Sequence, residues 1–443
     1  MDKISNAVES YKNLMLEVER FIWAHPETGY KEVATSAYLA EQFEKLGYKL
    51  TFADGITGCY TVVDTGRPGP EILVLGEMDA IICPEHKDAD PKTGAVHACG
   101  HNAQCAALVG VAAALKNPQI LEKLCGRIRL CAVPAEEYLD IAYRMQLKAQ
   151  GAIKYYVGKS EFLSRGMFDG VDMALMVHTS SACRITTGSV GCLAKEITYK
   201  GEAAHAGSEP WKGKNALYAA TCGIHAANAL RETFKEADLI RFHPIITHGG
   251  DMVNAIPERV TMEAYIRGKT YDAILSANQK INQALCGAAL SLGVNVEIKD
   301  IPGYAPHIND GGLTKIAEET FKALFPERAL LLTGEYTTGS TDLGDLSCVM
   351  PVVHPYMGGA KGKAHGNDYE ICDAMSACVD SAKWQVAMLT LLLENGGARA
   401  KKIKEEYQPM FSSKEEFLRF QDSLNTSGDR IVYRQDSIVE VKC

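Results

Sequence analysis

The sequence lacks the features that define several large classes of protein. No uninterrupted apolar run in its 443 residues approaches the roughly 18 that a membrane-spanning helix needs, so no membrane partner is expected. The 46 basic and 55 acidic residues give a net charge of -9 without a concentrated basic patch, which argues against nucleic acid as a partner. A small molecule is therefore the expected partner.

The N-terminal segment also lacks the pattern of a signal peptide. It is amphipathic and charged throughout, instead of having a basic start followed by an apolar block. Fourteen cysteines occur at irregular spacings, and several, such as Cys105 and Cys131, lie in apolar stretches typical of buried free thiols. We therefore expect a protein of a reducing compartment, the cytoplasm.

The chain is too long for one typical domain, and it contains neither an internal repeat nor a low-complexity tract. Up to about residue 190, helical patterns alternate with short apolar strands, which predicts an α/β sheet layer with helices on its faces. These strands are Glu71 to Leu75, Ile128 to Val133 and Met173 to Val177. The same pattern resumes after Pro306, so we predict a discontinuous catalytic domain over residues 1–190 and 305–400.

The order of predicted elements changes between residues 191 and 304. It becomes strand, helix, two strands, helix and strand, which is the order of a split βαβ, ferredoxin-like unit. We predict an inserted α+β domain over this range. Residues 401–443 are rich in lysine and glutamate with weak apolar periodicity, and they are predicted to form a C-terminal appendage without chemistry.

The densest cluster of reactive side chains is HACGHNAQ, residues 97–104, followed at once by the small-residue run CAALVGVAAAL. A loop with Cys99 and His101 therefore leads into a helix, whose N-terminal end favours the thiolate form that binds metal. Taken alone, such a pair is more often a buried thiol beside a polar loop histidine. Further ligands are needed to indicate a metal site.

Further candidates follow other strands. The strand IRLCAV leads into PAEE, so Glu136 and Glu137 come just after a strand end, where α/β folds build their sites. Both can face one pocket only if the chain turns at Pro134. His178 follows the strand MALMV, and His365 lies in the loop KGKAHGNDYE. A solvated acidic helix start, a structural histidine and a polar loop would explain them one by one, but together they supply ligands for a paired zinc or manganese site.

The motifs HACGHN, PAEE, the strand-end His178, AHAG and NAIPERV occur in a fixed order between about Pro26 and Leu393. Together they resemble the metallopeptidase family of aminoacylases, hippurate hydrolases and carboxypeptidase G. HACGHN, GSTDLGDLS and HPY are most similar to the branch of aminobenzoyl-glutamate hydrolases and β-alanyl-dipeptidases. The resemblance implies a zinc-peptidase-like catalytic domain, with a central mixed sheet flanked by helices, and an inserted lid and dimerisation domain.

The resemblance also implies a role for each matched residue. Two divalent metal ions, zinc or manganese, would be bound by Cys99 as the bridging ligand with His101, Glu137, His178 and His365. Glu136 would be the general base that activates the water and then passes its proton to the leaving amine. Asp79, in GEMDA, matches a residue that orients the metal-binding loop. The implied reaction is hydrolysis of the amide bond of a small N-acyl amino acid or dipeptide.

Three further residues match positions in the inserted domain. His205, in GEAAHAGSEP, matches a histidine that reaches the partner subunit's site and stabilises the oxyanion, which implies a homodimer. Asn254 and Arg267 match positions that bind the substrate carboxylate, and arginine suits this task through a planar bidentate pair. Without the resemblance, they would be interpreted as a surface asparagine and an arginine on a sheet face.

The chain departs from the family pattern at three places. Relatives usually have Asp and His where this chain has Asn102 and Gln104, so the hydrogen bonds around the metal site must differ. Glu77 stands where many relatives have another residue. The segment after PAEE is longer and rich in tyrosine, which fits either a distinct substrate pocket or a helix packed in the core.

The sequence leaves two other functions open. Asn102 and Gln104 are compatible with a degenerate relative, or a partner subunit, that binds an amino acid or peptide without cleaving it. Thiol catalysis, with Cys99 as nucleophile and His101 as base, is the second alternative. It predicts inactivation by alkylating agents and indifference to chelators, whereas the metal hypothesis requires chelators to inhibit.

Overall fold

The computed structural model describes residues 1–433 and 439–442. These residues form two compact units that alternate along the chain. The first consists of residues 1–188, 307–336 and 341–414, and the second of residues 189–306, 337–340 and the described residues from 415 onward. The described residues of the C-terminal segment 401–443 are therefore divided between both units.

The α-helices of the described residues are α1 (Asp2–Glu9), α2 (Lys12–Trp23), α3 (Val33–Lys45), α4 (His101–Ala114), α5 (Pro118–Leu121), α6 (Ile141–Ala149), α7 (Gly158–Ser164), α8 (Ala216–Ala229), α9 (Tyr271–Ser291), α10 (Gly311–Leu324), α11 (Leu343–Ser347), α12 (Ser381–Leu393), α13 (Ala398–Glu406) and α14 (Lys414–Leu424). A π-helix, Met375–Asp380, leads directly into α12. In the described part of the chain, none of the helices has both the length and the apolar character needed to cross a bilayer.

The β-strands of the described residues are β1 (Thr51–Phe52), β2 (Cys59–Asp64), β3 (Glu71–Glu77), β4 (Ile81–Ile82), β5 (Ala95–Val96), β6 (Arg127–Val133), β7 (Met173–Leu175), β8 (His178–Ser180), β9 (Arg184–Ile185), β10 (Gly188–Ser189), β11 (Gly191–Lys200), β12 (Arg241–His248), β13 (Arg259–Gly268), β14 (Asn295–Pro302), β15 (His307–Ile308), β16 (Leu331–Leu332), β17 (Tyr336–Thr337), β18 (Val352–Val353), β19 (Tyr356–Gly358), β20 (Ala360–Lys361), β21 (Glu370–Ile371), β22 (Thr426–Asp429), β23 (Ile431–Tyr433) and β24 (Val439–Val441). They form two larger sheets, of six and five strands, and several sheets of two to four short strands.

A six-stranded mixed sheet, in the order β1-β2-β6-β3-β7-β18, forms the centre of the first unit. Its strands β6, β3, β7 and β18 are parallel neighbours, and β1 and β2 complete one edge in antiparallel pairing. Every residue of β3 is buried, as in a strand covered on both faces. The buried helix α4 packs against β3, with α2 and α12 packed against α4. The predicted mixed sheet flanked by helices is confirmed.

A five-stranded antiparallel sheet, in the order β12-β13-β11-β14-β22, forms the second unit. The elements β11, α8, β12, β13, α9 and β14 follow in the order predicted for a ferredoxin-like unit, and the two helices pack against each other. This confirms the predicted ferredoxin-like fold. The fifth strand, β22, comes from the C-terminal segment and pairs with β14.

A buried ion pair lies in the core of this second unit. The ammonium of Lys195, on β11, donates to Asp300 and, at 2.6 Å, to Asn278 Oδ1. Thr426 of β22 places its hydroxyl 3.4 Å from the other Asp300 oxygen. The C-terminal strand therefore contacts this ion pair as well as the edge of the sheet.

Candidate metal centre

Three neighbouring parallel strands end next to one another and carry predicted site residues. β3 ends at Glu77, with Asp79 two residues later. β6 is followed by Glu136 and Glu137, and His178 comes shortly after β7. Because the strand order is β6-β3-β7, these side chains emerge at one edge of the sheet.

The chain turns sharply after β6, at Ala135. This residue has a φ of 54°, a left-handed conformation that costs a non-glycine residue on the order of 1–3 kcal/mol. Two hydrogen bonds hold the turn: Ala135 N donates to Glu32 Oε1 at 2.8 Å, and Gly158 N donates to the Ala135 carbonyl at 3.1 Å. An added Cβ at Gly158 would lie 1.7 Å from the Pro134 oxygen, so the close approach requires glycine. The turn lets both following glutamates face the same site.

The five predicted ligands converge in two overlapping triads. Cys99, His101 and His178 offer ligand atoms within 4.8 Å of one another, and so do Cys99, Glu137 and His365. The Cys99 Sγ lies 3.5 Å from His178 Nε2, and His365 Nε2 lies 2.9 Å from Glu137 Oε1. Cys99 belongs to both triads, which agrees with its prediction as the ligand that two ions would share.

Backbone carbonyl groups bind one ring nitrogen, Nδ1, of both His101 and His178. The Nδ1 of His101 lies 2.8 Å from the Asp79 carbonyl oxygen, and the Nδ1 of His178 lies 2.8 Å from the Thr179 carbonyl oxygen. Since a carbonyl only accepts, Nδ1 carries a proton in both rings, which leaves Nε2 as the nitrogen that can bind metal. Burial opposes the imidazolium, but Cys99 raises the pKa of both rings, so metal binding at Nε2 displaces a proton. Asp79 Oδ2 also accepts from Glu137 N at 2.9 Å. This donor set of thiolate, imidazoles and carboxylate fits a pair of divalent ions.

The charges of the site favour the ionised forms of its thiol and carboxyl ligands. Burial opposes the thiolate, but His101 and His178 lower the pKa of Cys99 to about 6. Burial also opposes ionisation of Glu137, but its hydrogen bond with His365 lowers the pKa of that carboxyl to about 2. Both side chains are therefore ionised near neutral pH.

Glu136 lies beside the triads and is almost completely buried. Its carboxylate is within 4.8 Å of ligand atoms of His101 and Glu137. Burial raises the pKa of Glu136 well above its usual value, and the carboxylates of Glu77 and Glu137 raise it further. A carboxylate with a raised pKa is a stronger base near neutral pH, which suits a proton acceptor.

A sequence model of peptidase family M20/M25/M40 matches residues 73–393, which is more than half of the chain. The chain belongs to this family. The predicted membership is therefore confirmed, and with it the prediction of a hydrolase that acts on amide or peptide bonds.

Individual relatives agree with this assignment. The Xaa-Arg dipeptidase of Mus musculus is 30% identical over 354 residues, which cover 76% of this chain and 75% of that protein. One of the subunits of the p-aminobenzoyl-glutamate hydrolase of Escherichia coli is 26% identical over 354 residues, covering 68% of this chain and 76% of that polypeptide. A dinuclear metal binding M20 peptidase from Bacillus subtilis shares the fold, with a TM-score of 0.67, 20% identity and coverage of 87% of this chain and 99% of that chain.

A buried charged group that the sequence analysis missed lies next to this M20 site. Lys159, on α7, donates from Nζ to Glu77 Oε1 at 2.5 Å and to Asp342 Oδ1, and its backbone N donates to Asp342 Oδ2 at 2.9 Å. Arg144, on α6, donates to the carbonyl of Glu137. Both cations come from the long segment after PAEE, where comparison with the family motifs gave no guide. The one indication of a buried cation in the sequence was Glu77, which stands where many relatives have another residue.

The two amides that replace the usual Asp and His bind buried acids. Asn102 Nδ2 donates to Glu19 Oε1 at 2.8 Å, and Gln104 Nε2 donates to Glu77 Oε2 at 2.8 Å. The same Glu77 oxygen lies 3.3 Å from His101 Nε2. The amide at 104 therefore orients an acid beside a predicted ligand, so this departure changes the hydrogen bonds around the site without removing a ligand from it.

The tyrosines of the long segment, Tyr138, Tyr155 and Tyr156, are all buried. The Tyr155 carbonyl accepts a hydrogen bond from the Tyr30 hydroxyl at 3.0 Å, and the Tyr156 carbonyl accepts one from Arg144 Nη1 at 2.7 Å. Of the two explanations that the sequence left open, this packing agrees with a segment built into the core.

The remaining predicted residues, His205, Asn254 and Arg267, lie in the second unit. His205 is exposed, and its Nδ1 accepts two backbone N–H groups of the following loop at 3.1 Å, which leaves the proton on Nε2. A backbone hydrogen bond of 2.9 Å joins the residue after His205 to the Asn254 carbonyl. Arg267, on β13, donates to the Ser340 hydroxyl at 3.0 Å. Their roles toward substrate stay predictions.

Proposed function

We propose that this M20 protein is a dinuclear metal-dependent amidohydrolase that cleaves the amide bond of a small N-acyl amino acid or dipeptide, of the aminobenzoyl-glutamate or β-alanyl-dipeptide type. The observation that carries the proposal is the sharing of Cys99 by two ligand triads with Glu136 beside them. Relatives named Xaa-Arg dipeptidase and p-aminobenzoyl-glutamate hydrolase support this substrate class.

Two divalent ions, zinc or manganese, would be held by Cys99, His101, Glu137, His178 and His365. When bound, such ions polarise the scissile carbonyl and acidify water. Glu136 accepts the proton of the attacking water and returns it to the nitrogen of the leaving amine, because its carboxylate lies within 4.8 Å of a ligand atom from each triad, on His101 and on Glu137. Asp79 keeps the ligand loops in register through its contacts with His101 and Glu137.

Residues of the second unit are proposed to act on the substrate. His205 would donate its Nε2–H to the carbonyl oxygen as that atom becomes negative, since its Nδ1 already accepts backbone hydrogen bonds. Asn254 and Arg267 would bind the substrate carboxylate, for which a guanidinium offers two parallel hydrogen bonds. Because N-acyl amino acids and dipeptides share this carboxylate, these residues select the class of substrate and leave the acyl group open.

The test is hydrolysis of a small panel by the metal-loaded protein. The panel contains β-alanyl dipeptides, aminobenzoyl-glutamate and N-acetyl or N-benzoyl amino acids, and each substrate is paired with its C-terminal amide. We expect one class to be cleaved with a kcat/KM of at least about 10⁴ M⁻¹ s⁻¹, and the amides to be cleaved poorly. No product from any member under metal-replete conditions would favour the alternative of a protein that binds without cleaving.

A homodimer is the proposed assembly, because the matched histidine in the family acts in the partner's site. Strand β12 supports it, since it forms one edge of the sheet in the second unit and exposes apolar side chains. Ile245 on this strand and Met252 just after it are each 61% exposed, and Val253 is fully exposed. Exposed apolar residues beside an open sheet edge are typical of a protein–protein interface.

Replacing Ile245 and Met252 together with glutamate is expected to convert the dimer into a monomer, measured by light scattering after size exclusion. Association would bury the two new carboxylates in the interface, which costs free energy and opposes it. In the monomer kcat would fall, because His205 could no longer reach the active site of a partner subunit. Val33→Glu, which changes a similarly exposed apolar residue of the first unit, is the control and should leave both properties unchanged. A double variant that stays dimeric would contradict an interface at β12.

The cytoplasm is the proposed compartment. Every cysteine in the described part of the chain is a free thiol. Free thiols persist where glutathione and thioredoxin keep the surroundings reducing, which supports this proposal.

A further inference from the structure

The proposed reaction gives no role to Lys159, one of the two buried cations beside the site. Lys159 is completely buried, and its ammonium hydrogen bonds with both Glu77 and Asp342. The carboxylates of these two residues and of Glu136 offer oxygen atoms within 4.8 Å of one another. The general base therefore lies in a cluster of three acids with a lysine ammonium bonded to two of them.

Three carboxylates so close together repel one another strongly in a site that excludes water. A cation among them offsets the repulsion, and groupings of this kind often hold a metal ion. Here the ammonium of Lys159 has two of the three carboxylates as hydrogen-bond acceptors. Burial opposes its charge, but Asp342 and Glu77 raise the pKa of Lys159 above its usual value, so it stays a cation.

The backbone around Lys159 is tied to the loop that carries the base. The N–H of Gly158 donates to the Ala135 carbonyl in the PAEE turn at 3.1 Å. On the other side, the hydroxyl of Ser160 donates to Asp345 Oδ2 at 2.6 Å. The residue before Lys159 is therefore anchored to the turn that precedes Glu136, and the residue after it is anchored to Asp345 of α11.

We propose that Lys159 is a positioning residue for Glu136, whose ammonium takes the place of a third cation and holds Glu77 and Asp342 so that the Glu136 carboxylate faces the two ligand triads. Gln104 completes the arrangement, because it binds the second carboxylate oxygen of Glu77 while Lys159 binds the first. The inference rests on the proposed function in one respect, namely the assignment of Glu136 as the base.

Lys159→Ala provides the test, because it removes the side chain from Cγ to Nζ and leaves room for n-propylammonium. We expect kcat to fall about 100-fold, the size of effect that misplacement of a reacting group produces, with KM and metal content nearly unchanged. Added n-propylammonium should restore a large part of kcat, whereas n-propanol, of the same size but neutral, should not. In metal-free Lys159→Ala, n-propylammonium should raise the melting temperature and n-propanol should not. In the unmodified protein, neither additive should raise it.

Lys195→Ala is the matched control, since it removes a buried lysine paired with Asp300 in the second unit. It should lower the melting temperature while kcat stays near that of the unmodified protein with or without either additive. If Lys159→Ala does not fold, Lys159→Met keeps most of the length of the side chain without its charge and should show the same loss of kcat. Unchanged kcat in the variant that folds, or equal restoration by n-propanol, would overturn the proposal. A lack of hydrolysis by the unmodified protein across the panel would instead contradict the proposed function, and the melting-temperature shift still tests the ammonium site.

Discussion

Glu136→Gln is expected to lower kcat by about 10²–10⁴-fold while both metal sites stay filled. Glutamine keeps the size and most of the hydrogen bonding of glutamate, but it does not accept the proton of the attacking water. Neither triad that shares Cys99 includes Glu136, so metal content should not change. The measurements are kcat and KM on the preferred substrate, with elemental analysis of the same samples.

Glu137→Gln is the matched control for this prediction, because the two residues are adjacent and equally buried. Glu137 belongs to the triad with Cys99 and His365, so its replacement should weaken metal binding. The pair of variants thus separates loss of the base from loss of a ligand. Full activity of Glu136→Gln would remove the assignment of the general base.

Cys99→Ala is expected to abolish activity and to weaken the binding of both metal ions. A single substitution removes a ligand from each triad, since Cys99 is shared. Changing a residue that merely orients a ligand costs about 10–100-fold in affinity, and the loss of a shared ligand should exceed this range. Titration of the metal-free variant with zinc or manganese by calorimetry measures the effect.

Cys125→Ala serves as the control, because Cys125 is a half-buried free thiol like Cys99 but lies outside both triads. It should bind metal as tightly as the unmodified protein.

The same experiments decide between metal and thiol catalysis. A nucleophilic Cys99 predicts that chelators leave the unmodified protein active and that Cys99→Ala keeps its metal, and either result would contradict the proposed site.

The part of the site that could be predicted follows from the strands of the first unit. β3, β6 and β7 appear in the sequence as short apolar runs, and each is followed by polar residues, so their parallel arrangement was enough to bring Asp79, Glu136 and His178 to one edge. The ferredoxin-like unit was predictable for a similar reason, because its six elements follow one another with clear changes of period.

The rest depends on contacts between distant parts of the chain. Lys159 and Arg144 lie in helical segments where a charged residue is ordinarily solvated, and their burial follows from acceptors far away in sequence or in the backbone. The left-handed conformation of Ala135 is equally hidden, because nothing about alanine favours a positive φ. Strand β22 arises in a segment of weak periodicity, where pairing with β14 supplies the order that local pattern lacks.

The pairing of β22 with β14 also limits how this protein can polymerise. It leaves the long strand β12 at one end of the sheet and a four-residue strand, TSGD, at the other. A short strand with glycine and aspartate is a poor template for adding a further chain. In the proposed homodimer, pairing of two β12 edges about a two-fold axis would use up the only extended template among the described strands of this sheet, so growth into a fibre would stop at two copies.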